Sequence, residues 1–193
     1  MDKIIKEIDK RRSLRALSDK PVPEDVLKRL IYAATRAPSC FNNQPWRFMV
    51  VNEEEALSKV KARLAGGNYW AERASAFIVV STNIENDCML PGGRNYALLD
   101  TGMAVQNILL QATAEGINAH PIAGFDSESL KEDFGYNSKD VVITVVVLGY
   151  PGSSENLSDS HKKAEQEKSP RKPEKEIIAF NIKPPPEDEG GFG

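Results

Sequence analysis

Three arginines and a serine share five consecutive positions near the N-terminus: Arg11, Arg12, Ser13 and Arg15. This is a dense positive charge for a chain of 193 residues whose formal net charge is −3. Guanidinium groups are planar and permanently charged, and with a hydroxyl they supply the donors that phosphate accepts. The apolar residues Ile4, Ile5 and Ile8 precede them at helical spacing. The pattern predicts a phosphate site at a helix end, with a solvated basic stretch as the alternative.

A second polar group occupies the segment Pro38–Trp46, which reads Pro-Ser-Cys-Phe-Asn-Asn-Gln-Pro-Trp. Its two prolines restrict the backbone, and its amide side chains both donate and accept hydrogen bonds. Amides of this kind suit the edge of a polar heterocycle. Taken alone, the segment is typical of a helix end followed by a turn.

The chain lacks the common sequence motifs for nucleotide binding, hydrolysis and metal binding. There is no GxGxxG, no GxxxxGK[ST] and no GxSxG, so neither a dinucleotide fold, a P-loop nor a hydrolase elbow is supported. His120 and His161 lie far apart without a ligand-type spacing, so we expect no metal site. Cys40 and Cys88 are the only cysteines and allow at most one disulfide. The lack of these motifs favours either catalysis by a bound cofactor or a binding role.

Charge and hydropathy narrow the choice of partners and of compartment. Lys and Arg number 25 against 28 Asp and Glu, which argues against nucleic acid as a partner. The longest apolar run, Val141–Leu148, is too short to span a bilayer, so no membrane partner is expected. The N-terminus lacks the apolar core of a signal peptide, and we expect a cytoplasmic protein.

Periodicity predicts the elements that must position these residues. Strands are expected at Arg47–Val51, Phe77–Ser81, Ile117–Ile122 and Val141–Leu148. Helices are expected from Pro23 to before Pro38, at Glu53–Leu64, at Tyr96–Glu115 as a buried central helix stopped by Gly116, and at Ser127–Phe134. Strands separated by helices indicate a layered architecture.

The composition becomes polar and proline-rich after Tyr150. We divide the chain into a core at 1–150, an arm at 151–183 and a flexible tail at 184–193. An arm this polar cannot form its own core, so its few apolar residues must dock on the core or on another subunit.

In these residues the chain resembles the nitroreductase family of FMN-dependent oxidoreductases. The resemblance rests on four motifs in the family's order, spread over about residues 4 to 178: R-R-S-x-R at Arg11–Arg15, P-S-x-x-N-x-Q-P-W at Pro38–Trp46, P-I-x-G-F at Pro121–Phe125 and R-K-P at Arg171–Pro173. It implies an α+β fold, a three-layer α/β/α arrangement with a mixed, mainly antiparallel sheet around a central helix. It also implies an interlocked homodimer with FMN at the subunit interface.

Roles carried over by the resemblance start with the phosphate. Arg11 and Ser13 would bind the FMN phosphate, Arg12 would assist, and Arg171 would return to it from the arm. Arg15 would lie near the N1/O2 end of the isoalloxazine, where a cation stabilises the charge that reduction brings.

Other residues would meet the ring itself. The resemblance implies that one loop of the partner subunit contacts the ring through Pro38, Ser39, Asn42 and Gln44. It assigns contacts from the strand end to Pro121, Ile122, Ala123 and Gly124, with Ile122 on one flavin face and a backbone N–H of Ala123 or Gly124 at N5. Some relatives place an Asn and a Lys on the pyrimidine side of the flavin; this chain has no Lys there, and Asn68 is the candidate substitute. Cys40 is expected to be structural filler rather than a redox group.

The function implied is reduction of electron-poor acceptors, such as nitroaromatics, quinones or flavin-like compounds, by NAD(P)H in a ping-pong cycle through flavin N5. No side chain is expected to be an indispensable acid or base. The alternatives are a non-catalytic FMN carrier or sensor, a reductase or dehydrogenase dedicated to one metabolite, and a protein whose basic cluster is merely solvated.

Overall fold

A four-stranded antiparallel sheet forms the centre of the fold in the computed structural model, which describes residues 4–184. Its strands are β1 (Trp46–Val51), β2 (Ala76–Asn83), β5 (Asn118–Ile122) and β6 (Asp140–Gly149), in the order β1-β2-β6-β5. A separate hairpin pairs β3 (Met89–Leu90) with β4 (Arg94–Asn95). The mainly antiparallel sheet is confirmed. The parallel component of a mixed sheet is not present among residues 4–184, where every strand pair runs antiparallel.

Helices cover both faces of this sheet and give the three expected layers. The helices are α1 (Lys6–Lys10), α2 (Glu24–Ala34), α3 (Glu54–Ala62), α4 (Tyr96–Ala114), α5 (Ser127–Phe134), α6 (Asp159–Gln166) and α7 (Glu174–Ile177). One buried cluster joins α2 and α4 to the sheet, and a second joins α3 and α5 to the opposite face. Both faces of β2 are therefore covered, which explains why this central strand is apolar almost throughout.

The long helix α4 is buried on one side only. Asn95 Oδ1 caps its start by accepting from the Ala97 N–H at 3.1 Å, and Gly116 follows its end at a φ of 72°. Its inner face is buried against the sheet and α2. Leu98 and Leu99 are 44% and 54% exposed, because they lie on the side of α4 that faces away from the sheet. In the single chain, the expected burial of this central helix is therefore found on the side that faces the sheet and α2.

The polar arm returns to the N-terminal segment of the same chain. Pro151 forms an isolated antiparallel bridge with Leu17, and the Gly152 N–H donates to the Ala16 carbonyl at 3.0 Å. The arm then forms α6, whose first turn is capped by Ser158. Of the predicted flexible tail, 184–193, only the first residue is among those described.

None of the helices within residues 4–184 combines the length and the apolar character that a bilayer span requires.

Candidate functional site

The arginine turn lines a cavity of about 740 Å³ between the N-terminal segment, α4 and the arm. The turn begins at Arg11 because α1 ends there, and its far end is fixed where Leu17 pairs with Pro151. The lining residues are Ile4, Ile8, Asp9, Arg11, Arg12, Ser13, Arg15, Gln106, Ala164, Lys168, Ser169 and Arg171. The fold thus brings Arg171, from the other end of the chain, to the same cavity as the N-terminal cluster.

Positive charge in this cavity exceeds the negative charge that lines it. Five lining side chains are cationic and one, Asp9, is a carboxylate. Lys168 lies 3.4 Å from the Asp9 carboxylate. Among residues 4–184, Arg11, Arg15 and Arg171 form no salt bridge. Unpaired guanidiniums that converge on one cavity form a donor set suited to a phosphate, so these residues fit an anionic cofactor such as FMN.

Arg12 attaches the arm to the arginine turn. Its Nη2 donates to the carbonyl oxygens of Ala164 at 2.7 Å and Glu167 at 2.6 Å, at the C-terminal end of α6. A cation in this position also interacts favourably with the helix dipole. The resemblance implies that Arg12 assists at the phosphate; in the structure Arg12 lines the cavity while its Nη2 is bonded to the arm.

Arg15 lies beside a buried ring pair formed by Trp70 and His120. Its guanidinium carbon is 5.9 Å from the centre of the Trp70 ring, and the Trp70 and His120 ring centres are 4.8 Å apart. Burial lowers the pKa of His120 to about 4, with the Arg15 charge as the next contribution. His120 is therefore neutral at pH 7 and does not compete with Arg15 for an anion.

Tyr69 connects this region to the first turn of α6. Its hydroxyl accepts from the Ser158 backbone N–H at 2.7 Å and lies 3.1 Å from His161 Nδ1. The hydrogen bond with Ser158 lowers the pKa of Tyr69, and burial lowers that of His161. The arm is thus fastened to the core at both ends of α6.

The loop 38–46 has an unusual backbone and does not line the cavity. Phe41, Asn42 and Gln44 have φ values of 48°, 59° and 50°, in the left-handed region that non-glycine residues rarely adopt. Ser39 Oγ stabilises the loop by accepting from the Gln44 N–H at 3.0 Å. The Phe41 side chain is 90% exposed. In this chain the four predicted residues of the loop, Pro38, Ser39, Asn42 and Gln44, are therefore apart from the arginine cluster.

Cys40 of this loop is bonded to Cys88 in a disulfide. This realises the single pairing that the two cysteines allow, and it ties the loop to the segment before α4.

The strand end predicted to meet the flavin is only partly accessible. Pro121, Ala123 and Gly124 retain exposed surface, and Asn68 Nδ2 donates to the Gly124 carbonyl at 2.8 Å. Asn68 and Gly124 are therefore neighbours in the fold. Ile122 is only 6% exposed and belongs to the core under α3 and α5. The expected contact of its side chain with a flavin face is not supported, because strand alternation turns Ile122 inward with His120.

Several residues of the site are not indicated by any motif in the sequence. Gln106, Lys168 and Ser169 line the cavity, and Glu165 accepts from backbone N–H groups of the arginine turn. Lys168 and Ser169 lie just before the Arg171–Pro173 motif, and this proximity in sequence is the one feature that could have indicated their place at the site. No local pattern marks Gln106 or Glu165, since both act through tertiary contacts.

Fold and cavity together define an α+β protein with a site suited to a phosphate-bearing ligand. A family model described as "Nitroreductase family" matches residues 8–83 and 59–150. The chain belongs to the nitroreductase family.

Similar proteins extend over most of the chain. An Archaeoglobus fulgidus protein named "Putative NADH dehydrogenase/NAD(P)H nitroreductase" is 33% identical over 168 residues, covering 83% of this chain and 92% of its own. A Thermus thermophilus protein named NADH dehydrogenase is 29% identical over 172 residues, covering 74% and 83%. A solved structure described as an oxidoreductase containing FMN superposes with a TM-score of 0.81 at 27% identity, covering 93% of this chain and 92% of its own.

Proposed function

We propose that this protein is an FMN-dependent NAD(P)H oxidoreductase that reduces electron-poor small molecules. The observation that carries the proposal is the cavity shared by Arg11, Ser13 and Arg171, whose two guanidiniums form no salt bridge within residues 4–184. The names of the similar proteins support the same cofactor and co-substrate.

Each cationic residue of the cavity has a separate task in this proposal. Arg11, Ser13 and Arg171 hold the phosphate through charge-assisted hydrogen bonds. Arg12 keeps the arm, and with it Arg171, against the turn. Arg15 lies toward the ring and stabilises negative charge at its N1/O2 end. A backbone N–H of Ala123 or Gly124 donates toward N5.

When bound, FMN supplies hydride transfer, so that NAD(P)H and an electron-poor acceptor such as a nitroaromatic, quinone or flavin-like compound use the same space in turn. The protein residues bind and orient the reactants. His120, neutral at pH 7 because burial lowers its pKa to about 4, places no second cation beside Arg15.

A second copy of the chain completes the site. Leu98 and Leu99 form an exposed apolar strip on α4, and the loop 38–46 projects without lining the cavity of its own chain. In a homodimer, the loop of one subunit reaches the flavin of the other and the leucines are covered. Sedimentation of Leu99→Glu tests this: loss of the dimer together with loss of FMN supports it, and a wild-type protein that sediments as a monomer with FMN bound contradicts it.

The function itself is tested by the visible spectrum of the purified protein before and after anaerobic addition of NADH or NADPH. We expect a flavin spectrum that is bleached by one or both nucleotides and restored by nitroaromatic or quinone acceptors. A yellow protein that neither nucleotide reduces would indicate a carrier or sensor. A colourless protein that takes up no FMN in a titration would overturn the proposal.

A further inference from the structure

Three potential metal-ligand atoms, two of them on the adjacent residues Asp87 and Cys88, meet beside the start of α4. The sulfur atoms of Cys40 and Cys88 and a carboxylate oxygen of Asp87 all lie within 4.8 Å of one another. The two sulfurs are joined as a disulfide across 48 positions of sequence. No spacing motif marks this group, because the loop 38–46 and the segment before β3 are brought together only by the fold.

Asp87 has a carboxylate oxygen that the protein leaves unsatisfied. Its Oδ1 accepts from the Cys88 N–H at 2.8 Å and from Asn43 Nδ2 at 3.0 Å. Its Oδ2 is buried and has no hydrogen-bond partner among the described residues. No Lys, Arg or His within residues 4–184 forms a salt bridge with this carboxylate. This carboxylate also faces the carboxyl group of Asp100, whose pKa is raised by burial and by the neighbouring Asp87. A buried carboxylate oxygen without a donor or cation is costly, and either a proton shared by the two carboxyl groups or a bound cation relieves that cost.

Hydrogen bonds hold this group in place independently of the disulfide. Asn43 Nδ2, besides binding Asp87, lies 3.8 Å from Cys88 Sγ. On the other side, the Cys40 N–H donates to Asp100 Oδ2 of α4 at 2.6 Å. Outer contacts of this kind orient the ligands of metal sites. They would keep the two sulfurs near each other after the bond between them is broken.

We propose that reduction of this disulfide creates a binding site for one divalent cation of the Zn²⁺ type, with Cys40, Cys88 and Asp87 as ligands. Two thiolates and a carboxylate, with water in the fourth position, satisfy the tetrahedral preference of Zn²⁺. Both cysteines are partly exposed, so a reductant and a metal ion have access to them. The site alternates between a disulfide under oxidising conditions and a metal complex under reducing conditions.

The reductive step balances with a trialkylphosphine as reductant. The phosphine attacks one sulfur and the S–S bond breaks. Water then supplies the oxygen of the phosphine oxide and the two protons of the resulting thiols. When Zn²⁺ binds, the two thiol protons are released to solvent. Neither step involves a flavin, so the proposed metal site and the proposed function can be tested and refuted independently of each other.

The test uses the full chain, reduced with a trialkylphosphine and freed of it under argon. Zn²⁺ is titrated in competition with a chromogenic chelator, and Co²⁺ is then used to detect thiolate-to-metal charge-transfer absorption. We expect one metal ion per reduced chain, none at this site in the oxidised chain, and no charge-transfer band in Cys40→Ser. Asp87→Asn, which keeps both cysteines, should bind Zn²⁺ at least about 10-fold more weakly. Asp159→Asn, an exposed aspartate in α6, serves as the matched control.

Two results would overturn the assignment. One is a reduced wild-type chain that binds no more Zn²⁺ than Cys40→Ser and Cys88→Ser, each checked for a native circular dichroism spectrum. The other is Asp87→Asn with wild-type affinity, which would remove Asp87 from the ligand set.

Discussion

The carboxylate of Glu165 accepts a hydrogen bond of 2.8 Å from the backbone N–H of Arg15. Its second oxygen accepts one of 3.3 Å from the N–H of Ala16. In the opposite direction, Arg12 donates to carbonyl groups at the end of the helix that carries Glu165. The arm and the arginine turn are therefore joined by reciprocal bonds. Because the arm also brings Arg171 to the cavity, the geometry of the proposed phosphate site depends on this junction.

The variant Glu165→Gln tests the junction. An amide offers one acceptor oxygen instead of two and places an NH₂ group against a backbone N–H. We expect a loss of about 1–2 kcal/mol in the free energy of unfolding, measured with urea. Glu155→Gln, an exposed substitution elsewhere in the arm, should change it little. Equal stability of the two variants would show that Glu165 does not hold the turn.

The crossing of the arm over residues 16–18 depends on the absence of a side chain at Gly152. A Cβ at this position would overlap the backbone carbonyl of Leu17 and the backbone nitrogen of Ser18. These are main-chain atoms, fixed in part by the bond from the Ser18 N–H to the Tyr150 carbonyl at 2.9 Å. Gly152→Ala should therefore lower the free energy of unfolding by about 3 kcal/mol.

Gly66→Ala is the control for that substitution, since a Cβ there has no atom within 4 Å. Thermal or urea unfolding of the two variants side by side gives the comparison. A Gly152→Ala protein as stable as Gly66→Ala would mean that the arm does not cross at this point.

Burial of His120 makes the stability depend on pH. Its pKa is lowered from 6.5 to about 4, so below pH 6.5 the unfolded chain binds a proton that the folded chain does not. Stability contributed by the neutral ring is complete above the unfolded pKa. It falls as the pH drops from 6.5 toward 4, by about 3 kcal/mol in all.

His120→Phe should remove this part of the pH dependence, because phenylalanine does not titrate. His161→Gln is the comparison, since His161 is the only other histidine and burial also lowers its pKa, so this variant measures the part of the slope that His161 contributes. Urea unfolding of the three proteins at several pH values between 7 and 4.5 gives the slopes. If His120→Phe keeps the wild-type slope, His120 is not the group responsible.

The meeting of Arg11 and Arg171 was predictable because each belongs to a short motif whose order along the chain is recognisable. The strands were predictable for a physical reason, namely that β2 and β6 are covered on both faces and so are apolar over most of their length. Helix α6 was not predictable from periodicity. It is polar, none of its residues is buried, and it is stabilised by the Ser158 cap and by Arg12.

A sequence gives no tertiary distances, and this limited the prediction at three places. The resemblance implies that Ile122 meets a flavin face, whereas in the single chain its side chain lies in the core. The apolar composition of α4 predicts a buried helix, whereas in the single chain Leu98 and Leu99 are exposed because the sheet covers only one side of α4. The sequence shows Cys40 and Cys88 only as a possible disulfide pair, with Asp87 beside Cys88. The approach of Cys40 to the other two residues depends on the packing of β1, β2 and α4.

The central claim is that Arg11 and Arg171 bind the phosphate of FMN, and comparison of FMN with riboflavin tests it most directly. Riboflavin carries the same ring without the phosphate, so its affinity reports the rest of the site. The measurement is the dissociation constant of each compound for apoprotein of wild type, Arg11→Ala, Arg171→Ala and the control Arg94→Ala. Arg94 is exposed and outside the cavity, where its Nε donates to the Pro91 carbonyl.

Each of the two cavity variants should bind FMN about 10- to 150-fold more weakly than wild type, which corresponds to about 1.5–3 kcal/mol for a hydrogen bond to a charged group. Their affinity for riboflavin should match that of wild type and Arg94→Ala. Unchanged FMN affinity in both variants, or an equal loss for FMN and riboflavin, would contradict the assignment of this cavity to the phosphate.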